Sequence, residues 1–102
     1  MSYVTNVMLT GIFSNPIAND LNDWLENARE KSWGSLINVE KEAGGTKALE
    51  TQVWLGAFNY LDVAALIECY RGSITKHGRA KETVQLFICN QHDDKFTEIA
   101  QR

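Results

Sequence analysis

The chain has little of what usually announces a chemistry. It holds one proline, two cysteines and two histidines in 102 residues. Two thiols, Cys69 and Cys89, are too few for a disulfide framework, and they could pair only if their Cα atoms came within about 6 Å. Neither belongs to a CxxC pair or to a Cys/His cluster with zinc spacing, so no metal and no other cofactor is expected. There is no GxSxG elbow, no HExxH pair, and no Walker or dinucleotide glycine pattern. No apolar run approaches the roughly 20 residues that span a bilayer. The stretch from Met1 to Val7 lacks a basic segment followed by an apolar core, so it does not read as a secretory signal. No membrane partner is expected, and unpaired thiols suit a cytoplasmic protein.

Positive charge is also in deficit. Ten Lys and Arg stand against thirteen Asp and Glu, a net charge of −3. That balance disfavours non-specific binding to phosphate backbones, and nucleic acid is not an expected partner.

What is present is apolar material in an ordered pattern. The chain is 44% hydrophobic and 23% charged, enough apolar side chain to offset the entropy of ordering. Its length fits a single domain over residues 1–102.

Residues 3–10 alternate as a strand, with Tyr3, Thr5, Val7 and Leu9 on one face and Val4, Asn6, Met8 and Thr10 on the other. Gly11 and Ser14-Asn15-Pro16 end it, with Asn15 as N-cap and Pro16 first in a helix. That helix should run from 16 to 31, because Ile17, Leu21, Trp24, Leu25 and Ala28 make one apolar stripe. Arg29 and Lys31 then sit at the negative end of its dipole. Residues 35–42 and 48–57 read as a hairpin turned at Ala43-Gly44-Gly45-Thr46. In its second strand Leu49, Thr51, Val53, Leu55 and Ala57 alternate with Glu50, Gln52, Trp54 and Gly56. A second helix starts near Asn59 or Asp62, with Val63, Leu66, Ile67 and Tyr70 as its stripe and Gly72 as its C′ residue. A polar loop covers Ser73 to Lys81. Residues 83–89 form another strand, with Val84, Leu86 and Ile88 opposed to Gln85, Phe87 and Cys89. After a turn at Asn90 to Asp94, Phe96 to Ile99 is a candidate fifth strand.

The order β-α-β-β-α-β, with a short addition, resembles the ferredoxin-like α+β sandwich in element order. It implies an antiparallel sheet with both helices on one face and the first and third strands inside it. That fold hosts many unrelated functions, so function must be argued from sites.

Three sites are candidates. The first is the open face of the sheet. If the helices cover Val7, Leu9, Val53, Leu55, Leu86 and Ile88, then Val4, Met8, Trp54 and Phe87 face outward as an apolar interface. Homodimerisation or docking on another protein follows, and a non-enzymatic binding module is the expected function. The competing reading has Phe96 and Ile99 folding over Trp54. Base stacking on this face fails for want of a basic and aromatic run, with Glu50 and Gln52 flanking it.

The second candidate is the stretch Arg71, Lys76, His77, Arg79 and Lys81, where no acid falls between Glu68 and Glu82. It could hold a phosphate- or nucleotide-like anion, or simply be a solvated loop. The third is His92-Asp93-Asp94, which suits a metal or an acid–base pair less well than it suits a turn. An enzymatic reading rests only on His77 or His92 serving a pocket between sheet and helices. The carboxylates of the first helix, including Asp20 and Asp23, read as a solvated face.

Overall fold

The computed structural model describes residues 3–47 and 49–102. Ala48, where the third strand is expected to begin, lies outside the described residues, as do Met1 and Ser2. The fold is α+β: a five-stranded antiparallel sheet with two helices. The strands are β1 Val4–Thr10, β2 Ile37–Asn38, β3 Val53–Asn59, β4 Gln85–Asn90 and β5 Thr97–Ile99. They lie in the order β2-β3-β1-β4-β5, so the first and third strands are neighbours inside the sheet. The helices are α1 Asn15–Asn27 and α2 Val63–Lys76. Among the described residues no helix is long and apolar enough to cross a membrane.

The core lies between the helices and one face of the sheet. Leu21 and Leu25 of α1 and Leu66 and Tyr70 of α2 pack with Val7, Leu9, Leu86 and Ile88, all at or near zero exposure. The alternation expected for β1 and β4 therefore reads correctly: Thr5, Val7 and Leu9 go inward, as do Leu86 and Ile88.

β3 is inverted relative to expectation. Its register sets Trp54 opposite Leu9, Gly56 opposite Val7 and Phe58 opposite Thr5. Paired residues of antiparallel strands share a face. Trp54, Gly56 and Phe58 thus face the helices, while Val53, Leu55 and Ala57 face away. The cause is Phe58, which folds back over its own strand. A Cβ added at Gly56 would lie 2.5 Å from Phe58 Cζ and 3.2 Å from Leu36 Cδ2. The missing side chain makes room for the ring, which is buried. Trp54, on the same face, is half-buried, its Nε1 donating to Ser14 Oγ at 3.2 Å.

The expected hairpin over 35–57 is also looser than its glycines suggest. β2 keeps only two residues, and a single 3-10 turn at Glu40–Glu42 occupies what should be strand. Asn38 Oδ1 accepts the Glu40 N–H at 2.9 Å, a local bond that bends the chain away after one further pairing, Val39 N to Val53 O at 2.9 Å. Glu40, Lys41 and Glu42 offer nothing apolar to hold it in the sheet.

α1 begins one residue early, with Ser14 as N-cap, and stops at Asn27 instead of 31. The chain doubles back there: the Trp33 N–H donates to Leu25 O at 3.1 Å, and the Trp33 ring stacks on Trp24 at 5.0 Å. Arg29 lies over Trp33 at 4.1 Å, a cation–π contact in place of the expected helix-dipole role. α2 runs through Gly72 to Lys76, so Gly72 is not its C′ residue. Ser73 and Ile74, read as loop, are buried in the last turn, and Ile74 extends the stripe of Leu66 and Tyr70 at i+4 spacing. Asp62 caps the start, its Oδ1 accepting the Ala65 N–H at 3.1 Å.

Gly72 itself is exposed, and a Cβ there would meet nothing within 4 Å. Gly72→Ala should stabilise the domain by about 0.5–1 kcal/mol, seen as a rise in thermal midpoint, because it removes the helix-interior glycine penalty.

Candidate functional site

The face turned away from the helices carries one continuous apolar row. Ile37 pairs with Leu55, Leu55 with Met8, and Met8 with Phe87, in direct register across four strands. The row spans about 15 Å at ordinary strand spacing and ends on Glu98, opposite Phe87 on β5. Ile37 is 60% exposed and Leu55 40%. Phe96 lines a recess of about 470 Å³ with Met8, Leu55 and Ala57. The rows on either side are more polar: Val53-Thr10-Gln85 and Ala57-Asn6-Cys89.

Of the four residues expected here, Val4, Met8 and Phe87 do lie on this face and Trp54 does not. Leu55 and Ile37 take its place. Nor does the C-terminal segment cover Trp54. Ile99 pairs with Leu86 and packs against the core, while Phe96 belongs to the opposite face, as strand alternation requires.

The basic stretch disperses. Arg71 Nε donates to Ala100 O at 3.1 Å, which ties α2 to the C-terminal segment. Lys81 lines a cavity with Ile74, Gln101 and Arg102. Lys76, His77 and Arg79 line a separate one with Phe13 and Pro16. Arg71 lines neither recess and Lys81 only the first, the two recesses meeting at Gly78.

Asp20, read as part of a solvated helix face, is instead the junction of the two helices. Its Oδ2 accepts the Ser73 hydroxyl at 2.7 Å and lies 3.1 Å from His77 Nε2; its Oδ1 is 4.0 Å from Lys76 Nζ. Partial burial alone would raise the Asp20 pKa. The Ser73 hydrogen bond, the Lys76 charge and the His77 ring outweigh that and hold the carboxyl below its ordinary value. A depressed folded-state pKa means stability that is present above the ordinary carboxylate range and lost as pH falls through the folded value. Asp20→Asn should therefore lower the urea midpoint at neutral pH. The gap to wild type should narrow as pH falls below the ordinary carboxylate range, in urea titrations of both proteins.

This group is not a nucleophilic triad. The buried Ser73 hydroxyl donates to the Asp20 carboxylate rather than to His77, so the serine–histidine contact of a triad is not made. Burial, and then the carboxylates of Asp20 and Asp23, push the Cys69 thiol up and keep it protonated at neutral pH. Cys69 and Cys89 are both free thiols.

His92-Asp93-Asp94 forms a turn. Asp93 Oδ2 accepts the Asn90 N–H at 2.9 Å, the Asp93 N–H donates to Asn90 O at 2.9 Å, and His92 takes a positive φ of 77°. Among the described residues no three His, Cys, Asp or Glu side chains are grouped to hold a metal ion.

No family model, curated protein or solved structure matches this chain. Two features escape a reading of the sequence alone. Phe58 lies just beyond the expected strand end, and including it would have revealed the spacing Trp54-Gly56-Phe58. The role of Asp20 has no local signal, because its partners Ser73 and His77 are more than fifty residues away.

Proposed function

We propose that the domain is a ferredoxin-like sandwich, extended by one strand, that works as a non-enzymatic binding module through the open face of its sheet. The strand order read as β4-β1-β3-β2, with β5 added at the β4 edge, supports the fold. The observation that carries the function is the registered row Ile37-Leu55-Met8-Phe87. Solvated sheet faces normally alternate to polar residues, and a continuous cross-strand apolar row is characteristic of a surface that meets another.

The occupant proposed is a second copy of the chain. A two-fold axis parallel to the strands, passing between Met8 and Leu55, lays the row on its own reverse. Leu55 then meets the partner's Met8, and Ile37 meets the partner's Phe87, with the two sheets about 10 Å apart. Both pairings are apolar on apolar, so the row is complementary to itself. Light scattering across a concentration series should give a dimer for the wild type and a monomer for Leu55→Glu. A wild type that stays monomeric throughout would remove self-association and leave the face to a different protein.

A further inference from the structure

The end of the molecule where α2 stops carries a second surface, independent of the sheet face. Phe13, Pro16, Lys76, His77, Arg79 and Ala80 line a recess of about 380 Å³. That is the size of a small-ligand site, at the low end of the usual range of roughly 300–1,000 Å³. Its composition follows from three chain reversals. Gly11, at φ 130°, turns β1 into the loop that presents Ile12 and Phe13. Ser14 and Pro16 start α1 along one side. His77 ends α2 and opens a 3-10 turn at Gly78–Glu82, which returns Arg79 over the Phe13 ring at 5.2 Å.

The recess combines an apolar wall with excess positive charge in a chain of net charge −3. Ile12 and Phe13 remain exposed, at 52% and 39%. Asp20 is the acid that opposes the cations, and its two oxygens are already engaged. One accepts from Ser73 and lies against His77; the other holds Lys76 only loosely, at 4.0 Å. The Lys76 side chain is 69% exposed and can swing towards a ligand. The first turn of α1 contributes no carboxylate to repel one. Arg79 offers a planar fork of donors and Lys76 a mobile point charge, the pair that suits a phosphate group. The flat ring of Phe13 suits a flat body attached to it once Arg79 turns from the ring to the phosphate.

We infer that this recess binds a small phosphomonoester with a flat ring system, of nucleoside monophosphate size. Arg79 and Lys76 take the phosphate, and the ring lies against Phe13 and Pro16. Arg71 and Lys81 take no part, since the one is bonded to Ala100 O and the other lines the cavity beside Gln101.

The test is titration of the 15N-labelled protein with AMP, GMP, CMP and UMP, with inorganic phosphate and with adenosine as single-fragment controls. At least one nucleotide should saturate, with amide shifts centred on Phe13 and on residues 76–80. It should bind at least about tenfold more tightly than either control, since each supplies only half of the contacts. Arg79→Gln and Lys76→Gln should each weaken it by about tenfold, the loss of one charge-assisted contact. Arg71→Gln and Lys81→Gln should leave it unchanged. No saturable shift with any nucleotide overturns the proposal. So does inorganic phosphate binding as tightly as the nucleotides, or affinity that Arg79→Gln and Lys76→Gln leave intact.

Discussion

Trp54→Glu should destabilise the domain by about 3 kcal/mol or more, while Leu55→Glu, one residue along, should change monomer stability by less than about 1 kcal/mol. The two side chains leave the same strand in opposite directions. Trp54 lies in the layer between sheet and helices, opposite Leu9, with its indole N–H bonded to Ser14. A carboxylate there would lose the indole's packing and be held in the low-dielectric layer between sheet and helices. Ser14, itself buried, would lose a partner. Leu55 is 40% exposed and opposite Met8, so Glu at that position reaches water. Its effect should fall on association instead. Urea denaturation at low protein concentration separates the first effect, and light scattering reads the second. Equal destabilisation by both variants would show that β3 is not oriented as described, and the proposed interface would go with it.

Gly11→Ala should be at least as damaging, with an expected loss of about 3 kcal/mol or more and a correspondingly early urea midpoint. Two constraints coincide at this residue. Its φ of 130° lies in a region that side-chain-bearing residues avoid. A Cβ would also fall inside the contact shell of the Thr83 carbonyl oxygen and lie 2.9 Å from Val84 Cα, both backbone atoms that cannot step aside. The glycine is fixed in place by its own bonds. Its N–H donates to Gln52 O at 3.0 Å, and its carbonyl accepts the Ser14 hydroxyl at 2.7 Å. Three segments, the end of β1, the entry to β3 and the entry to β4, therefore meet at one position without a side chain. The damage should be local in origin and global in consequence, because the β1 strand it anchors is central to the sheet.

Much of this architecture is legible in residue order. β1, β4 and the body of α1 follow from alternation and the helical stripe, because each buries one face against a single partner layer. The failures have specific physical causes. β3 has apolar residues on both faces, Trp54 and Phe58 on one, Val53, Leu55 and Ala57 on the other. Period-two alternation cannot choose between such faces without knowing that Gly56 sits beneath the Phe58 ring. Gly72 reads as a helix stop, but Ser73 and Ile74 beyond it are held by Asp20 and the core, and tertiary contacts override a glycine's weak preference. The end of α1 depends on Trp33 returning to Trp24, an attraction between rings that periodicity does not register. For the candidate sites the basic stretch was visible as a run. Which of its members converge depends on the turn at His77, which brings Arg79 back beside Lys76 and carries Lys81 past them.

The brevity of the two outer strands has a consequence for how the protein behaves when concentrated. β2 offers two residues and β5 three, so neither outer strand presents more than a few amide groups to an incoming chain. Templated elongation, by which longer unpaired edges recruit copy after copy into fibrils, finds little foothold on either outer strand. On the pairing proposed above, association is confined to the flat of the sheet, and a flat surface with one two-fold axis is saturated by a single neighbour. Crowded solutions should therefore plateau at a particle of fixed size and stay clear.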